Sequence, residues 1–161
     1  MKELEKKILN VVSFLLQLKA EPKMIVNSVN EIEIDDIRKL KEQGFKAIIL
    51  DVDQTLRKYK RKIPKENQEW LQKLKKELKI IVVSNGYDKN IKLFFDENGI
   101  PYIGYAAKPL RKNFLLACEM LNVKPEEVVV IGNSLVTDVY GGKRNNMKTI
   151  KVKGVICGNE R

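Results

Sequence analysis

Residues 45–55 read FKAIILDVDQT, and this stretch decides the fold prediction. Its first half, Phe45 to Leu50, is a short apolar run that begins after Gly44 and ends at Asp51, as is typical of a buried strand in a parallel sheet. Asp51 and Asp53 follow the run at once. The stretch therefore predicts a buried strand that delivers two carboxylates to the edge of a sheet.

Further short apolar runs follow along the chain, and predicted helices alternate with them. The later predicted strands are 80–83, 102–103, 128–131 and 149–153, and the predicted helices cover about 64–78, 88–98, 109–121 and 135–146. Strands that alternate with helices predict βαβ units with right-handed crossovers. In the last strand apolar residues alternate with lysines, as in an edge strand. The predicted fold class is α/β with a mostly parallel five-stranded sheet.

The N-terminal segment is expected to differ from the rest. In residues 1–19 apolar side chains recur at helical spacing, and Pro22 ends the predicted helix. The longest apolar run, Ile8 to Leu18, would form a helix of about 16 Å, which is too short for the roughly 30 Å core of a bilayer. We therefore expect an N-terminal amphipathic helix extension over 1–23 and a single α/β domain over 24–161.

The composition excludes several classes of enzyme. The 161 residues include 31 Lys and Arg, 21 Asp and Glu and no histidine, for a formal net charge of +10. Without histidine there is no Ser-His-Asp triad, no Cys-His dyad and no histidine zinc site, so carboxylates, Lys, Tyr, Cys, Ser and Thr remain for acid–base or covalent chemistry. The two cysteines, Cys118 and Cys157, are too few for a disulfide scaffold, which favours a reducing compartment and a cytoplasmic location. Cys118 lies in an apolar stretch and is expected to be a buried small side chain.

The densest positive charge is the sequence RKYKRK at residues 57–62, which we call the basic run. One interpretation is a solvated loop, and another is an anion-binding patch for a phosphate, a nucleic acid or an acidic lipid surface. The basic run starts two residues after Thr55, beside the predicted functional site, which favours the second interpretation. Arg57 and Lys58, its first two members, are candidates for substrate binding.

The ligand crevice of a parallel α/β sheet lies beyond the carboxyl ends of its strands. The polar residues that follow the predicted strands are Asp51, Asp53 and Thr55 after the first, Ser84 and Asn85 after the second, Lys108 after the third, and Asn133 and Asp138 after the fourth. Phosphoryl transfer without histidine needs a carboxylate nucleophile, a second acid for the leaving oxygen, a divalent metal, and a cation with hydroxyl and backbone donors around the phosphate. Each residue also has a purely structural interpretation, because acids and serines cap helices or form turns and a lysine can be an exposed surface residue.

The order of these motifs resembles that of the haloacid dehalogenase (HAD) superfamily of phosphatases. The motifs are Asp51-x-Asp53-x-Thr55, then Ser84, then Lys108, then Gly132-x5-Asp138. Within the superfamily the chain is similar to the small cap-less class IIIA group, the YqeG family, whose eukaryotic relatives are mitochondrial phosphatidylglycerophosphate phosphatases. The stretches that carry this similarity are residues 82–85, 99–101, 107–109, 127–132 and 137–142. The resemblance extends over residues 24 to 153 and implies a Rossmann-like three-layer fold without a large cap.

The resemblance also implies a role for each motif. Asp51 would attack phosphorus to form an aspartyl-phosphate, and Asp53 would protonate the leaving alkoxide and then deprotonate the attacking water. Lys108 would balance the charge of nucleophile and phosphate, Ser84 and the neighbouring amide would donate to phosphate oxygens, and Thr55 would brace the loop. The implied catalytic residues are Asp51, Asp53, Ser84 and Lys108, the substrate-binding residues are Thr55, Asn85, Arg57 and Lys58, and the Mg²⁺ ligands are Asp51, Asp53 through its carbonyl oxygen, Asp138 and Asn133.

One residue departs from the family pattern. The fourth motif usually starts Gly-Asp, and that Asp is commonly a direct metal ligand, whereas position 133 is Asn in this chain. An amide oxygen can still bind Mg²⁺, but the site then has one negative charge less. We therefore expect weaker metal binding or a heavier reliance on Asp138.

Two functional hypotheses follow. The first is a Mg²⁺-dependent phosphomonoesterase that acts on phosphatidylglycerophosphate or a similar anionic phosphate. No segment between the motifs is long enough for a large cap, so the site should be open and cationic, which suits a phosphate on a lipid headgroup at a membrane surface or on a polymer. The enzyme would then be cytoplasmic, with peripheral binding to the membrane.

The second hypothesis is a catalytically weak or inactive HAD-like module that binds RNA or a protein partner through the basic run. A nucleic-acid partner is not favoured, because the sequence shows no motif of stacking aromatics within basic residues. A receiver-like domain that accepts phosphate as a signal is disfavoured, because no Asp ends the second or third predicted strand.

Overall fold

The computed structural model describes residues 24–156 and, before them, residues 3–5 and 22. Residues 3–5 are helical, and the remainder of the helix predicted over 1–19 lies outside the described residues. In the part of the chain that is described, no helix combines the length and the apolar character that crossing a bilayer requires.

Six parallel strands form one sheet, which confirms the predicted α/β class. The strands are β1 (Met24–Val26), β2 (Ala47–Leu50), β3 (Lys79–Val83), β4 (Tyr102–Ile103), β5 (Val128–Gly132) and β6 (Lys148–Val152). Their spatial order is β1-β6-β5-β2-β3-β4. The predicted strand of the FKAIIL stretch is β2, which lies between β5 and β3 with all of its residues buried.

Two details of the sheet differ from the prediction. There are six strands rather than five, because β1 is only three residues long and gives too weak an alternation to be read from sequence. The last strand is also not an edge, since β6 pairs with β1 on one side and with β5 on the other. Its lysines can lie inside the sheet because their long stems pack along apolar surface, as for Lys148, whose ammonium lies 4.9 Å from the centre of the Phe45 ring.

Helices connect the strands and cover both faces of the sheet. They are α1 (Ile34–Glu42), α2 (Lys65–Lys75), α3 (Lys89–Glu97), α4 (Arg111–Leu121) and α5 (Gly141–Lys143), with 3₁₀ turns at Val29–Glu31 and Pro125–Glu127. The helix predicted over 135–146 is instead a π-helical segment, Leu135–Tyr140, that continues into α5. π-helical turns occur often at functional sites, and this one carries Asp138 back toward the end of β5, where the backbone N–H of Ser134 donates to its Oδ2 at 3.1 Å.

The hydrophobic core consists of two layers, one on each face of the sheet. Alternate side chains of a strand point to opposite faces, so Ile48 belongs to one layer and Ile49 to the other. Helices α1, α2 and α3 cover the first layer, which includes the buried Phe95, and α4 covers the second with Phe114. Cys118 lies in this second layer as a buried free thiol, and burial raises its pKa.

Candidate active site

Asp51 leaves β2 at the level where the neighbouring strands also end. Leu50, the last residue of β2, is opposite Val82 of β3 and Ile131 of β5. The backbone N–H of Asp51 donates to the carbonyl oxygen of Ile131 at 3.0 Å, so the ladder of the sheet extends to Asp51 itself. Its backbone is thereby held rigidly at the carboxyl edge of the sheet.

Thr55 braces the side chain of Asp51. The backbone N–H groups of Thr55 and Leu56 donate to the carbonyl oxygen of Val52 at 3.2 and 2.8 Å, which folds the loop back on itself. The Thr55 hydroxyl then donates to Oδ2 of Asp51 at 3.2 Å. Thr55 is named above both as a brace of the loop and as a substrate-binding residue. Its fully buried side chain contacts Asp51, which agrees with the bracing role.

The ammonium group of Lys108 is shared by two buried carboxylates. Its Nζ lies 3.0 Å from Oδ1 of Asp51 and 2.5 Å from Oδ1 of Asp138, and the Lys108 side chain is 2% exposed. Burial by itself lowers the pKa of Lys108, but the two carboxylates outweigh it and the pKa is raised. Lys108 is therefore a fixed positive charge at the site and not the exposed surface lysine of the structural interpretation.

Asn85 holds the backbone of Lys108. Its Oδ1 accepts a hydrogen bond from the Lys108 backbone N–H at 2.6 Å, and its Nδ2 donates to the Lys108 carbonyl oxygen at 3.0 Å. Asn85 is predicted above to bind substrate, whereas in the structure its amide joins the loop after β3 to the loop after β4. This pairing accounts for the position from which Lys108 extends toward Asp51.

Asp138 is the most deeply buried acid of the site. The pKa of its carboxyl is raised to about 6, first by burial and then, against the lowering effect of Lys108, by the nearby Asp51 carboxylate. Two carboxylates thus share a single ammonium in a buried setting. The site carries more negative charge than Lys108 alone can balance.

Gly132 makes room for the Asp138 side chain. A Cβ atom built on Gly132 would lie 2.3 Å from the carboxyl carbon of Asp138, far inside van der Waals contact. We expect Gly132→Ala to push Asp138 away from Lys108 and to lower the free energy of unfolding by about 1–3 kcal/mol, as is typical of overpacking. Urea unfolding measures this loss. The matched control is Gly154→Ala, whose Cβ would meet nothing within 4 Å, and equal stability of the two variants would contradict the placement of Asp138.

A cavity of about 490 Å³ opens beside Asp53 and Ser84. A Cβ atom built on Gly86 would lie 3.8 Å from Oδ2 of Asp53 and 3.9 Å from Oγ of Ser84, so both polar atoms lie close to the Gly86 backbone at the cavity wall. The wall of the cavity also includes Tyr59 and Tyr87, both of which are exposed. The predicted phosphate-binding hydroxyl of Ser84 therefore faces a space in which an anion can lie.

Arg57 and Lys58 of the basic run have different surroundings. Lys58 is exposed, as a substrate-binding cation at the mouth would be. Arg57 is buried, with its Nε 2.8 Å from Oδ1 of Asp53 and its Nη1 2.9 Å from Oδ2 of Asp88. The hydrogen bond from Arg57 is the main reason why the pKa of Asp88 is lowered. Arg57 thus contacts two carboxylates and does not extend freely toward a substrate.

The oxygen atoms at the site suit a hard divalent cation. Mg²⁺ usually binds through one or two carboxylates together with other oxygen donors. Asp51 and Asp138 supply the carboxylates, and the excess negative charge they share with Lys108 is what a cation would neutralise. In the described ranges no three Asp, Glu, Cys or His side chains are arranged to hold a metal by themselves. The carbonyl oxygen of Asp53 and the amide of Asn133 would have to complete the set, so these residues fit Mg²⁺ and not a metal that needs nitrogen or sulfur.

Asp88 is the residue that the sequence prediction did not single out. It is the N-cap of α3, where its Oδ1 accepts hydrogen bonds from the backbone N–H groups of Asn90 and Ile91 at 2.9 and 3.3 Å. An Asp before a helix is a readable capping signal. Its second contact, with Arg57, joins residues 31 positions apart, so no local sequence pattern predicts it.

Comparisons with known proteins agree with this arrangement. Residues 10–146 match the family of haloacid dehalogenase-like hydrolases. The probable phosphatase YqeG of Bacillus subtilis (strain 168) is 42% identical over 116 residues, which are 71% of this chain and 67% of that relative.

Two solved structures share the fold of this chain, each with a TM-score of 0.57. One is an uncharacterized protein from Listeria monocytogenes serotype 4b, which is 18% identical; the match covers 73% of this chain and 85% of the Listeria chain. The other is a HAD family enzyme from Bacteroides thetaiotaomicron in complex with magnesium and inorganic phosphate, at 14% identity over 71% of this chain and 97% of that one.

The chain therefore belongs to the haloacid dehalogenase-like hydrolase family, as the order of its motifs predicts. Within that family it is a phosphatase of the YqeG type. The two solved structures are similar in fold alone, and they confirm the three-layer α/β architecture.

Proposed function

We propose that this phosphatase is a Mg²⁺-dependent phosphomonoester hydrolase that acts through an aspartyl-phosphate on Asp51, with phosphatidylglycerophosphate or another anionic phosphate as its substrate. The observation that carries the proposal is the Lys108 ammonium fixed between Asp51 and Asp138 at the carboxyl edge of the sheet. A phosphate dianion would be repelled by two bare carboxylates. A preorganised ammonium offsets that repulsion and stabilises the charge of the transition state.

Asp51 and Asp53 divide the chemistry between them. A carboxylate oxygen of Asp51 forms a bond to phosphorus while the bond from phosphorus to the leaving oxygen breaks, and Asp53 gives that oxygen a proton. Asp53 then takes a proton from a water molecule as the water oxygen attacks phosphorus. The bond to Asp51 breaks, inorganic phosphate leaves, and both carboxyl groups return to their starting state.

The other residues of the site hold the reacting groups. The Thr55 hydroxyl keeps the Asp51 carboxylate in one orientation, and Ser84 donates to a phosphate oxygen in the cavity. Oxygen atoms of Asp51, Asp53, Asp138 and Asn133 would hold Mg²⁺, which supplies positive charge next to the phosphate. The Bacteroides relative of the same fold, crystallised with magnesium and inorganic phosphate, supports this part of the proposal.

The mouth of the cavity supports an anionic substrate. Four of the six residues of the basic run have exposed positive charges: Lys60 lines the cavity, and Lys58, Arg61 and Lys62 are its neighbours in the chain. In the described part of the chain each segment between the motifs consists of one α-helix, one strand of the sheet and short connections, and none of them forms a second domain over the site. An open cationic mouth suits a phosphate on a large anionic molecule. We place the enzyme in the cytoplasm, at a membrane surface when the substrate is a lipid phosphate.

The test is a screen for inorganic phosphate release. The purified chain is incubated with an aryl phosphate and with lipid, sugar and nucleotide phosphates, at several Mg²⁺ concentrations and with a chelator. We expect release that the chelator abolishes, with the highest kcat/KM for an anionic lipid phosphate. A chain that releases no phosphate but shifts RNA at physiological salt would instead support the binding-module hypothesis.

Asn133 offers a direct test of the metal site. We expect Asn133→Asp to lower the Mg²⁺ concentration for half-maximal activity by about tenfold, because a carboxylate restores the missing negative charge to a set of oxygen ligands. Asn90→Asp is the matched control, since Asn90 is an exposed amide of α3. A Mg²⁺ dependence that is identical in wild type and Asn133→Asp would show that residue 133 is not a ligand.

A further inference from the structure

We propose that Arg57 is a positioning residue, which holds Asp53 so that a single carboxylate oxygen faces the phosphate. The inference rests on the proposed function of Asp53 as the acid for the leaving group. Its starting point is the burial of Arg57, which is 4% exposed, whereas every later lysine and arginine of the basic run is exposed. A cation that is buried next to the cavity does not serve to attract substrate from solution.

The guanidinium of Arg57 bridges two acids. Its Nε donates to Oδ1 of Asp53 at 2.8 Å, and its Nη1 donates to Oδ2 of Asp88 at 2.9 Å. The same Nη1 lies 3.1 Å from the carbonyl oxygen of Arg61, which closes the loop around it. A planar guanidinium presents its donors in a fixed fork, so these contacts set the orientation of the Asp53 carboxylate and not only its charge.

The far end of this bridge is anchored to α3. Oδ1 of Asp88 accepts the backbone N–H groups of Asn90 and Ile91, so the Asp88 side chain caps the helix while its Oδ2 takes Arg57. Helix α3 packs on the sheet through the buried Phe95. Through Arg57 and Asp88, the loop after β2 is attached to helix α3. This attachment fixes the position of Asp53 in the loop.

The bridge leaves one oxygen of Asp53 for chemistry. A guanidinium can only donate hydrogen bonds, so the Oδ1 atom that contacts Arg57 must remain an acceptor. Oδ2 is then the oxygen of Asp53 that is left to exchange a proton with the substrate, and it lies 3.8 Å from the position that a Cβ atom at Gly86 would take. Arg57 thus directs the proton of Asp53 toward the phosphate cavity.

A series of leaving groups tests this role. We expect Arg57→Met to lower kcat/KM by about 100-fold for glycerol 3-phosphate, whose alkoxide needs a proton, in line with the contribution of general acids. For nitrophenyl phosphate, whose leaving group is stable without a proton, we expect a loss of less than about fivefold. The ratio kcat/KM is compared because it reports the steps up to loss of the leaving group. Arg57→Lys should recover only part of the loss, since an ammonium lacks the planar fork.

Two further variants serve as controls. Arg38 also contacts two acids, Glu77 at 3.0 Å and Asp35 at 3.2 Å, but on helix α1 away from the site, so Arg38→Met should leave both substrates unaffected. Asp88→Asn keeps a capping side chain on α3 and removes the charged anchor of Arg57. Asp88→Asn should lower kcat/KM selectively for glycerol 3-phosphate, as Arg57→Met does, but to a smaller extent. If Arg57→Met does not fold, the result for Asp88→Asn tests the positioning role in its place.

The outcomes separate this inference from the proposed function. An equal loss for both substrates, or a rise in KM alone, would show that Arg57 supports folding or binds phosphate and would overturn the inference while leaving the phosphatase intact. A wild-type chain that releases phosphate from neither substrate would overturn the proposed function itself, and the inference with it. Selective loss with glycerol 3-phosphate in Arg57→Met or in Asp88→Asn supports both.

Discussion

Asp51→Asn should abolish phosphate release from every substrate, by about 10⁴-fold or more, because an amide cannot form the aspartyl-phosphate. Asparagine has nearly the same shape as aspartate. In the wild type the Thr55 hydroxyl donates to Oδ2 and the Lys108 ammonium to Oδ1. The single oxygen of an asparagine can still accept from Lys108, and its NH₂ group can donate to the Thr55 hydroxyl oxygen, so the fold should survive. The measurement is initial phosphate release at saturating Mg²⁺ and substrate, together with circular dichroism to verify folding.

The covalent intermediate gives an independent measure of the same step. After an acid quench during turnover, the intact mass of the wild-type chain should include a fraction heavier by one phosphoryl group, and Asp51→Asn should show none. Asp96→Asn is the matched control, because Asp96 is an exposed acid that pairs with Lys92 on the surface of α3. Release by Asp51→Asn at the rate of the control would exclude Asp51 as the nucleophile.

The sequence predicts the position of the site well because that position follows from the backbone. An apolar run without alternation predicts that β2 is buried on both faces, and parallel strands end at one edge whatever their side chains are. Asp51, Ser84 and Lys108 could therefore be assigned to one crevice from their order alone. The structure has β2 between β5 and β3, with Asp51 continuing the ladder to Ile131, as this rule requires.

The partners of individual side chains could not be predicted in the same way. Arg57 belongs to a run of cations, which predicts an exposed side chain. In the structure it is buried, because its guanidinium contacts the carboxylate of Asp88, 31 residues later. Asn85 and Thr55 likewise face the backbone of Lys108 and the side chain of Asp51, because the loops that carry them fold inward. Such contacts depend on loop geometry between distant segments, which composition and periodicity do not encode.

Lys108→Met should inactivate the enzyme and also lower the free energy of unfolding by about 3–5 kcal/mol, the usual cost of removing one partner of a buried ion pair. Methionine fills a similar volume but leaves the buried carboxylates of Asp51 and Asp138 without a compensating charge. Phosphate release should fall by at least about 10²-fold, as is typical when a preorganised stabilising group is lost. Urea unfolding and the phosphate assay measure the two effects separately.

The stability loss should depend on pH with a definite sign. The pKa of Asp138 is raised from its usual 3.8 to about 6, mainly by burial, and removal of the ammonium raises it further. The folded state therefore binds this proton more tightly than the unfolded state, so the free energy of unfolding falls as the pH rises through that interval. In a buffer with a chelator, Lys108→Met should be closest to wild type near about pH 5 and furthest from it near about pH 8.

Two comparisons show whether the Lys108 effect comes from the buried charges. Adding Asp138→Asn to Lys108→Met removes one of the two facing carboxylates, so the double variant should regain stability and lose its pH dependence while remaining inactive. Lys46→Met is the surface control, because Lys46 also pairs with an acid, Glu127 at 2.7 Å, but is 60% exposed and should lose little. A Lys108→Met protein as stable as Lys46→Met at every pH would mean that the shared ammonium does not hold the two carboxylates together. Asp51 would then need another source of positive charge before it could accept a phosphate dianion.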